Sequence, residues 1–269
     1  MVPFSAMVIE QRELAPQVYR LALRPSVSVA HAAPGQFFMV GVSDTHDPLL
    51  RRPLSYLSAA DGPDGMPSLV LIYEVRGRGT RLLSCLRPGR SVSLIGPLGR
   101  GFRLAPVPAR AILVGGGIGA VPLYAPVAAL KKIGADVTFI YGARTGEIID
   151  FLAPDLAATG AGTKICTDDG CRGEKAFTTD LLERELADAS ADRVVLACGP
   201  RPMLKKVAAI CRESKVPCQV SLEARMACGL GACLTCAVRG AAGPNLRVCH
   251  DGPVFDAAEL DWEALDDQA

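Results

Sequence analysis

Four cysteines near the C-terminus have the spacing of a metal centre. Cys228, Cys233 and Cys236 form a C-x4-C-x2-C pattern, and Cys249 follows after twelve intervening residues. Thiolates with this spacing bind a plant-type [2Fe–2S] cluster. Three thiolates from one tight loop hold one side of such a cluster, and a fourth closes it from a separate strand. Glycines inside the loop leave backbone N–H groups free to point at the sulfurs, which stabilises an anionic cluster.

Two other interpretations of these cysteines are open from the sequence. Zinc ribbons usually contain two C-x2-C pairs, and the first gap here is four residues long, which disfavours structural zinc. Buried cysteines are also common packing residues, although four unrelated ones rarely produce this spacing. The predicted metal ligands are Cys228, Cys233, Cys236 and Cys249, and the other six cysteines are scattered: Cys85, Cys166, Cys171, Cys198, Cys211 and Cys218.

A basic segment in the first hundred residues has the residue types that bind a flavin nucleotide. In Arg51-Arg52-Pro53-Leu54-Ser55-Tyr56, Arg52 can neutralise a pyrophosphate and Ser55 can hydrogen-bond near the flavin ring. Glycines in the later segment 73–80 let backbone N–H groups approach phosphate. An exposed basic loop plus a turn is the alternative. The predicted flavin-binding residues are Arg52, Pro53, Leu54, Ser55, Ile72, Tyr73, Gly77, Gly79 and Thr80.

Two glycine-containing turns predict a second nucleotide site. The segment 113–119 places four glycines between an apolar strand and a helix, where a tight bend can face a pyrophosphate. Another apolar strand ends in a Cys-Gly-Pro turn, and ligands of open α/β sheets bind along this carboxyl edge. A glycine loop that serves only packing is the alternative. The predicted nicotinamide-nucleotide residues are Gly115, Gly116, Gly117, Gly119, Cys198, Gly199 and Pro200.

The acidic pair Asp168-Asp169 follows a predicted strand end at Ile165. A carboxylate in this position can bind a ribose diol, which favours NAD over NADP, and we assign this role to Asp169. A solvated acidic turn explains the pair equally well, and Arg144 argues mildly for NADP.

The pattern of elements divides the chain into three parts. Short apolar runs between Gly and Pro turns in the first hundred residues predict a small antiparallel barrel or sandwich, and a Pro-rich linker follows at 104–110. From Ala111 onward, apolar strands alternate with helical patterns, which predicts a parallel α/β sheet. We therefore expect a multi-domain β plus α/β chain: a flavin-binding β-barrel domain at 1–103, a nucleotide-binding α/β domain at 104–216 and a small [2Fe–2S] module at 217–269.

Composition excludes several classes of function. The 269 residues carry a formal net charge of +1 and 5% aromatic residues, so neither a polyanion-binding surface nor a base-stacking platform is expected, and we predict no nucleic-acid partner. Residues 111–130 are uncharged and long enough to cross a bilayer, but their four glycines favour strand, loop and helix, and we expect no membrane span. The first ten residues lack the pattern of a signal peptide, so we expect a cytoplasmic, reducing location.

Taken in order along the chain, these motifs resemble the ferredoxin reductase superfamily. The resemblance is closer still to the iron–sulfur electron-transfer subunits of NAD-dependent (type B) dihydroorotate dehydrogenases, and it covers nearly the whole chain. Segment 223–236 and Val248-Cys-His-Asp-Gly-Pro-Val-Phe255 resemble the cluster signature, and Arg51-Arg-Pro-Leu-Ser and Gly77-Arg-Gly-Thr80 resemble the flavin site. Cys171, where serine is usual, Glu174-Lys175-Ala176, where a more glycine-containing turn is usual, and Thr235, where glycine is common, depart from the pattern.

The resemblance implies FAD, a [2Fe–2S] cluster and NAD as cofactors. It also implies a partner, an FMN-containing catalytic subunit that oxidises dihydroorotate in pyrimidine biosynthesis, in a heterotetramer with two of each subunit. Electrons would pass from FMN through the cluster and FAD to NAD+. Two rivals stay open: a related reductase subunit that serves a hydrogenase, a glutamate synthase-like enzyme or a sulfur reductase, and a zinc-stabilised nucleotide-binding module without enzyme activity.

The sequence shows no acid–base pair for substrate chemistry. His31, His46 and His250 are too few and too scattered, so proton abstraction is expected on another polypeptide, and no catalytic residue is assigned. The tail from Asp256 carries only acidic charge and the single tryptophan, Trp262. It predicts either a short helix or a frayed end.

Overall fold

The computed structural model describes residues 2–43, 45, 47–62, 64–188 and 192–266. The described chain contains a closed six-stranded barrel, a seven-stranded sheet and a two-stranded ribbon. This architecture confirms the predicted antiparallel barrel, the parallel sheet with helices and the C-terminal cysteine-containing segment.

The barrel is antiparallel, with strand order β1-β2-β5-β4-β3-β6. Its interior is filled by apolar residues that recur at every second position, such as Leu21 and Leu23 on one strand and Leu69 and Leu71 on another. Burial of alternate side chains closes the barrel around one core. The barrel elements are β1 (Phe4–Ala15), β2 (Val18–Pro25), β3 (Phe37–Val40), β4 (Arg52–Asp61), β5 (Pro67–Glu74), helix α1 (Arg78–Ser84) and β6 (Ser91–Leu98).

The second sheet has the order β10-β9-β8-β7-β11-β12-β15, with all pairs parallel except β12 and β15. Its central strands are buried on both faces, as expected when helices cover a parallel sheet. The strands are β7 (Arg110–Gly116), β8 (Asp136–Ala143), β9 (Gly162–Thr167), β10 (Glu174–Lys175), β11 (Arg193–Cys198), β12 (Cys218–Ser221), β13 (Ala237–Val238), β14 (Leu246–Arg247) and β15 (Val254–Asp256), of which β13 and β14 form the ribbon.

The helices after α1 connect or flank these strands. They are α2 (Val121–Lys132), α3 (Gly146–Asp150), α4 (Ala153–Ala158), α5 (Thr178–Leu186), α6 (Arg201–Glu213) and α7 (Trp262–Asp266). The uncharged stretch 111–130 divides into β7, a 3-10 turn at Gly117–Ala120 and most of α2. Within the described residues, no helix is both long and apolar enough to span a membrane.

The C-terminal segment is joined to both larger units. Strands β12 and β15 lie within the range 217–269, yet they extend the seven-stranded sheet. The sheet therefore continues past residue 216, where the sequence-based division ended the nucleotide domain, and that three-way division stays a proposal. One apolar core contains Phe37 and Met39 of the barrel, Val220 of the sheet and Val238 and Val248 of the ribbon region. This shared core fixes the cysteine segment against the other two units.

Candidate redox-cofactor site

The four predicted metal ligands meet at one end of the C-terminal segment. The sulfurs of Cys236 and Cys249 are 3.2 Å apart, and both residues are 2% exposed. Cys228 is half-buried and Cys233 is exposed, and hydrogen bonds join these two residues. The sulfurs therefore form two pairs, one buried and one at the surface.

Backbone amides of the cysteine loop point at the sulfurs, as the small residues in the loop predicted. The amide of Gly231 donates to the Cys249 sulfur at 3.1 Å, and the amide of Leu230 donates to the Cys228 sulfur at 3.3 Å. Gly231 has a φ of +81°, a left-handed conformation that glycine adopts without strain. Such N–H···S bonds stabilise negative charge on the ligands of a metal cluster.

The thiols differ in acidity because their surroundings differ. A hydrogen bond with the Thr235 hydroxyl, together with bonds to Cys228, lowers the pKa of the exposed Cys233 to about 6. Burial, followed by the neighbouring Cys236 thiol, raises the pKa of Cys249 to about 12. Bound metal cations remove the penalty of ionising two adjacent buried thiols, because a coordinating thiol is deprotonated.

The donor set fits a binuclear cluster. Two pairs of thiols suit two metal ions that each take two thiolates, as in a [2Fe–2S] centre. In the part of the chain that the structure describes, no three His, Cys, Asp or Glu side chains stand in position to hold a metal ion together. The assignment of the four cysteines as cluster ligands nevertheless rests on this geometry and on the spacing, and it stays a proposal.

A cleft of about 230 Å³ lies between the barrel and the α/β sheet. Of the residues predicted to bind a flavin, the ones that line this cleft are Pro53, Leu54, Ser55, Ile72, Tyr73 and Thr80. They come from β4, β5 and the first turn of α1, so neighbouring strands of one sheet bring them together. The cleft's opposite side is formed by Val121 and Pro122 of α2 and by Leu222 and Ala224.

Arg52 and the glycines at the start of α1 adjoin this cleft. The Arg52 guanidinium packs against Gly79, where a Cβ atom would overlap it, and it donates to the Leu50 carbonyl at 2.5 Å. The Thr80 hydroxyl accepts the amides of Arg76 and Gly77 at 3.0 and 3.2 Å. The N–H groups of the first helical residues have no acceptor within the helix and can serve a phosphate.

The cysteine loop and the flavin cleft adjoin each other. A Cβ atom on Gly229, next to Cys228, would lie 2.5 Å from Cγ of Met39. Met39 pairs in register with Pro53, which lines the cleft. Met226, two residues before Cys228, also lines the cleft. The cysteine loop therefore packs against a strand that pairs with the wall of the cleft.

A larger cleft of about 1640 Å³ runs along the carboxyl edge of the seven-stranded sheet. The residues predicted for the nicotinamide nucleotide that line it are Gly116, Gly117, Gly119, Gly199 and Pro200, whereas Cys198 lines the flavin cleft. The two clefts share six lining residues, so one opens into the other: Glu74, Arg76, Ile118, Leu222, Glu223 and Ala224. Ile118 lies within the glycine turn at 113–119 and Glu223 begins the segment that resembles the cluster signature, but the sequence patterns assigned a cofactor contact to neither residue.

The glycines of the loop at 115–119 have two different roles. Cβ atoms on Gly116 and Gly119 would collide with Met203 and with the backbone of Gly199, so these two glycines permit close packing of the two turns. Gly117 has a φ of +56° and open space around its missing side chain. The packing interpretation thus describes Gly116 and Gly119, and Gly117 is the position that is free to face a ligand.

The two aspartates after β9 differ in orientation. The Asp169 carboxylate accepts the amide of Cys171 at 3.0 Å, and its hydrogen bonds with Cys171 lower the pKa of Asp169. Asp168 lines the large cleft, as does Arg144. The assignment of a ribose to Asp169 stays a prediction, and Asp168 is the aspartate with direct access to the cleft.

The two histidines that the structure describes lie in different parts of the chain. His31 is exposed, and His250 bonds through Nδ1 to Asp251 at 2.9 Å next to the cysteine loop. His46 lies outside the described residues. Cys171, one of the departures from the family pattern, accepts the Gly146 amide at 3.2 Å, as a serine hydroxyl could.

The architecture defines the class of protein: a ferredoxin-reductase-like chain with an iron–sulfur segment at its C-terminus. A solved NADH-dependent reduced ferredoxin–NADP oxidoreductase is similar over 98% of this chain and 92% of its own, with a TM-score of 0.81 and 28% identity. A cytochrome P450 reductase from Amycolatopsis shares the fold, with a TM-score of 0.65 at 20% identity over 80% of this chain and 66% of its own.

Sequence comparison defines the family. Residues 223–261 match the model of the iron–sulfur cluster binding domain of dihydroorotate dehydrogenase B. The electron transfer subunit of dihydroorotate dehydrogenase B (NAD(+)) from Geobacillus kaustophilus is 42% identical over 257 residues, covering 94% of this chain and 96% of the relative. The corresponding subunit of Desulforamulus reducens is 39% identical over 264 residues, covering 97% and 98%. The chain therefore belongs to the family of electron transfer subunits of dihydroorotate dehydrogenase B.

Proposed function

We propose that this chain passes electrons from a dihydroorotate-oxidising catalytic subunit to NAD+. The observation that carries the proposal is the continuous arrangement of the cysteine loop, the flavin cleft and the nucleotide cleft. Met226 and Met39 join the first two, and Ile118 and Glu223 lie where the two clefts meet.

The residues divide the work between binding and positioning. A bound [2Fe–2S] cluster supplies single-electron transfer, and FAD links it to the two-electron hydride chemistry of NAD+. Cys228, Cys233, Cys236 and Cys249 hold the cluster in this proposal. Arg52 and the first turn of α1 neutralise the FAD pyrophosphate, and Ser55 orients the flavin ring. Gly117 leaves room for the NAD pyrophosphate.

The partner follows from the family. We infer a catalytic subunit of dihydroorotate dehydrogenase B that carries FMN, in an assembly of two copies of each subunit. We propose that this subunit performs the acid–base chemistry on dihydroorotate. Pyrimidine biosynthesis is the pathway that this reaction serves, and the cytoplasm is the location we propose.

The experiment compares the purified chain with the reconstituted assembly. Alone, the chain is expected to contain iron, acid-labile sulfide and FAD, and to reduce dyes with NADH, but not to oxidise dihydroorotate. With the catalytic subunit added, dihydroorotate and NAD+ should yield orotate and NADH. Robust dihydroorotate oxidation by the chain alone would refute the partner assignment. Zinc in place of iron and sulfide would refute the cluster.

A further inference from the structure

The C-terminal tail has no role in the function described so far. Its short helix α7 packs on α6, and Leu265 is 1% exposed within the same core as Leu204 and Val207 of α6. The indole nitrogen of Trp262 donates to the Ala257 carbonyl at 2.8 Å, which fixes the start of the helix. The tail is thus an ordered part of the fold up to the last described residue.

One side chain connects this tail to the nucleotide cleft. Arg201, the first residue of α6, lines the cleft directly after Gly199 and Pro200. Its Nη1 atom donates to the main-chain carbonyl of Leu265 at 2.9 Å. Carbonyls in the last turn of a helix lack partners within that helix, so the guanidinium satisfies one of them. The tail therefore holds Arg201 through an uncharged hydrogen-bond acceptor, the Leu265 carbonyl.

Arg201 keeps its charge available to a ligand. Within the described residues, no carboxylate pairs with it, whereas Arg76 in the same cleft pairs with Glu74 at 2.7 Å. A guanidinium has five N–H donors, and the bond to Leu265 uses only one of its nitrogens. The other cleft arginines without a carboxylate partner in the described chain, Arg144 and Arg225, are exposed, and Arg201 is half-buried.

The neighbours of Arg201 indicate the ligand group. A Cβ atom added to Gly116 would lie only 2.9 Å from Cδ of Pro200, the residue before Arg201. Arg201 therefore follows directly on the turn that packs against the glycine loop, whose Gly117 faces open space. Guanidinium groups bind phosphate oxygens with two parallel hydrogen bonds. We propose that Arg201 binds a phosphate of the nucleotide and that helix α7 positions it for that contact.

This inference rests on the proposed nucleotide site, and its test uses the full, cofactor-loaded chain. ADP is the first probe, because it contains the pyrophosphate and its binding can be measured by calorimetry without any redox reaction. Arg201→Gln should weaken ADP binding and raise the KM for NADH in dye reduction about tenfold, the size of one charge-assisted hydrogen bond. Adenosine, which has no phosphate, should bind both proteins equally. Arg212→Gln, at an exposed site on the same helix, is the matched control and should change neither value.

The positioning role needs its own variants. Removal of residues 262–269 should weaken ADP binding about threefold, as expected for one lost neutral hydrogen bond. In the Arg201→Gln background the same truncation should add no further loss, because the two changes act on one contact. If the truncated chain does not fold, Trp262→Phe removes the indole donor in the intact chain, and it should weaken ADP binding in the same direction.

The outcomes distinguish failure of the proposed function from failure of the proposed Arg201 contact. A wild-type chain that binds neither ADP nor NADH contradicts the proposed function itself. A wild-type chain that binds both, with Arg201→Gln unchanged or with adenosine binding equally weakened, overturns the phosphate contact and leaves the function standing. Equal effects of the truncation in both backgrounds overturn the role of the tail.

Discussion

The cysteine loop and the glycine loop of the nucleotide cleft use side chains and backbone in opposite ways. In the cysteine loop the chemistry belongs to side chains, and the backbone supplies N–H···S bonds from Gly231 and Leu230. In the glycine loop the absence of side chains matters, because Gly116 and Gly119 allow the Cys-Gly-Pro turn to approach. The cysteine spacing therefore predicts which side chains act as ligands, whereas a run of glycines does not show which members pack and which face a ligand.

The largest effect expected from this comparison concerns Cys233, the exposed cysteine of the cluster loop. Cys233→Ser should abolish the iron–sulfur absorbance and lower NADH formation by the reconstituted assembly at least about a hundredfold, because an iron loses a thiolate ligand. FAD content and NADH-dependent dye reduction should persist. Cys171→Ser, at an exposed cysteine outside the cluster loop, is the matched control and should leave the cluster intact. Joint loss of cluster and FAD in Cys233→Ser would show that the two sites do not fold independently.

The next effect concerns packing between the two glycine turns. A Cβ atom on Gly119 would lie 2.7 Å from Cα and N of Gly199, and backbone atoms cannot move aside as a flexible side chain can. Gly119→Ala should destabilise the chain by about 1–3 kcal/mol, a fall of several degrees in Tm, and should raise the KM for NADH. The control is Gly162→Ala, whose nearest contact would be 3.7 Å. An unchanged Tm for Gly119→Ala would mean that the turns are not in contact.

A smaller effect is expected from the backbone of the cysteine loop. Gly231→Ala places a side chain at a φ of +81°, which costs about 1–2 kcal/mol, and its Cβ would lie 2.8 Å from Cβ of His250. The cluster should still assemble but should be lost severalfold faster in a chelator, as followed by visible absorption. Gly243→Ala, with open space around it, tests the same substitution in the same segment. Equal rates of cluster loss in the two variants would remove the role assigned to Gly231.

The smallest effect tests whether a side chain tunes the cluster. The Thr235 hydroxyl is 3.3 Å from the Cys233 sulfur. Hydrogen bonds to cluster sulfurs stabilise the reduced, more negative state, so Thr235→Gly should lower the midpoint potential. A hydrogen bond of about 1 kcal/mol corresponds to a shift of roughly 40 mV for one electron. Thr235→Ser keeps the hydroxyl and should retain the wild-type potential, and a shift of the same size in Thr235→Ser would assign the effect to the methyl group.

The sequence predicted the architecture, but not where the α/β sheet ends. The alternating strands, the glycine turns and the cysteine spacing are local patterns, and each corresponds to an observed element. The place of β12 and β15 in the seven-stranded sheet depends on pairing between segments more than thirty residues apart, which no local pattern encodes. The orientation of Asp168 and Asp169 and the contact of Arg201 with Leu265 likewise depend on tertiary structure.

Reduction of this chain's flavin by its partner's substrate is the most direct measurement of the electron path. Dihydroorotate is mixed anaerobically with the reconstituted assembly in the absence of NAD+, and flavin absorbance and the cluster's paramagnetic signal are followed in time. The path described above predicts bleaching of FAD and a cluster signal with the wild-type chain, and no bleaching of FAD with Cys233→Ser. Bleaching of FAD at an unchanged rate in Cys233→Ser would show that electrons reach the flavin without the four cysteines, which contradicts the account.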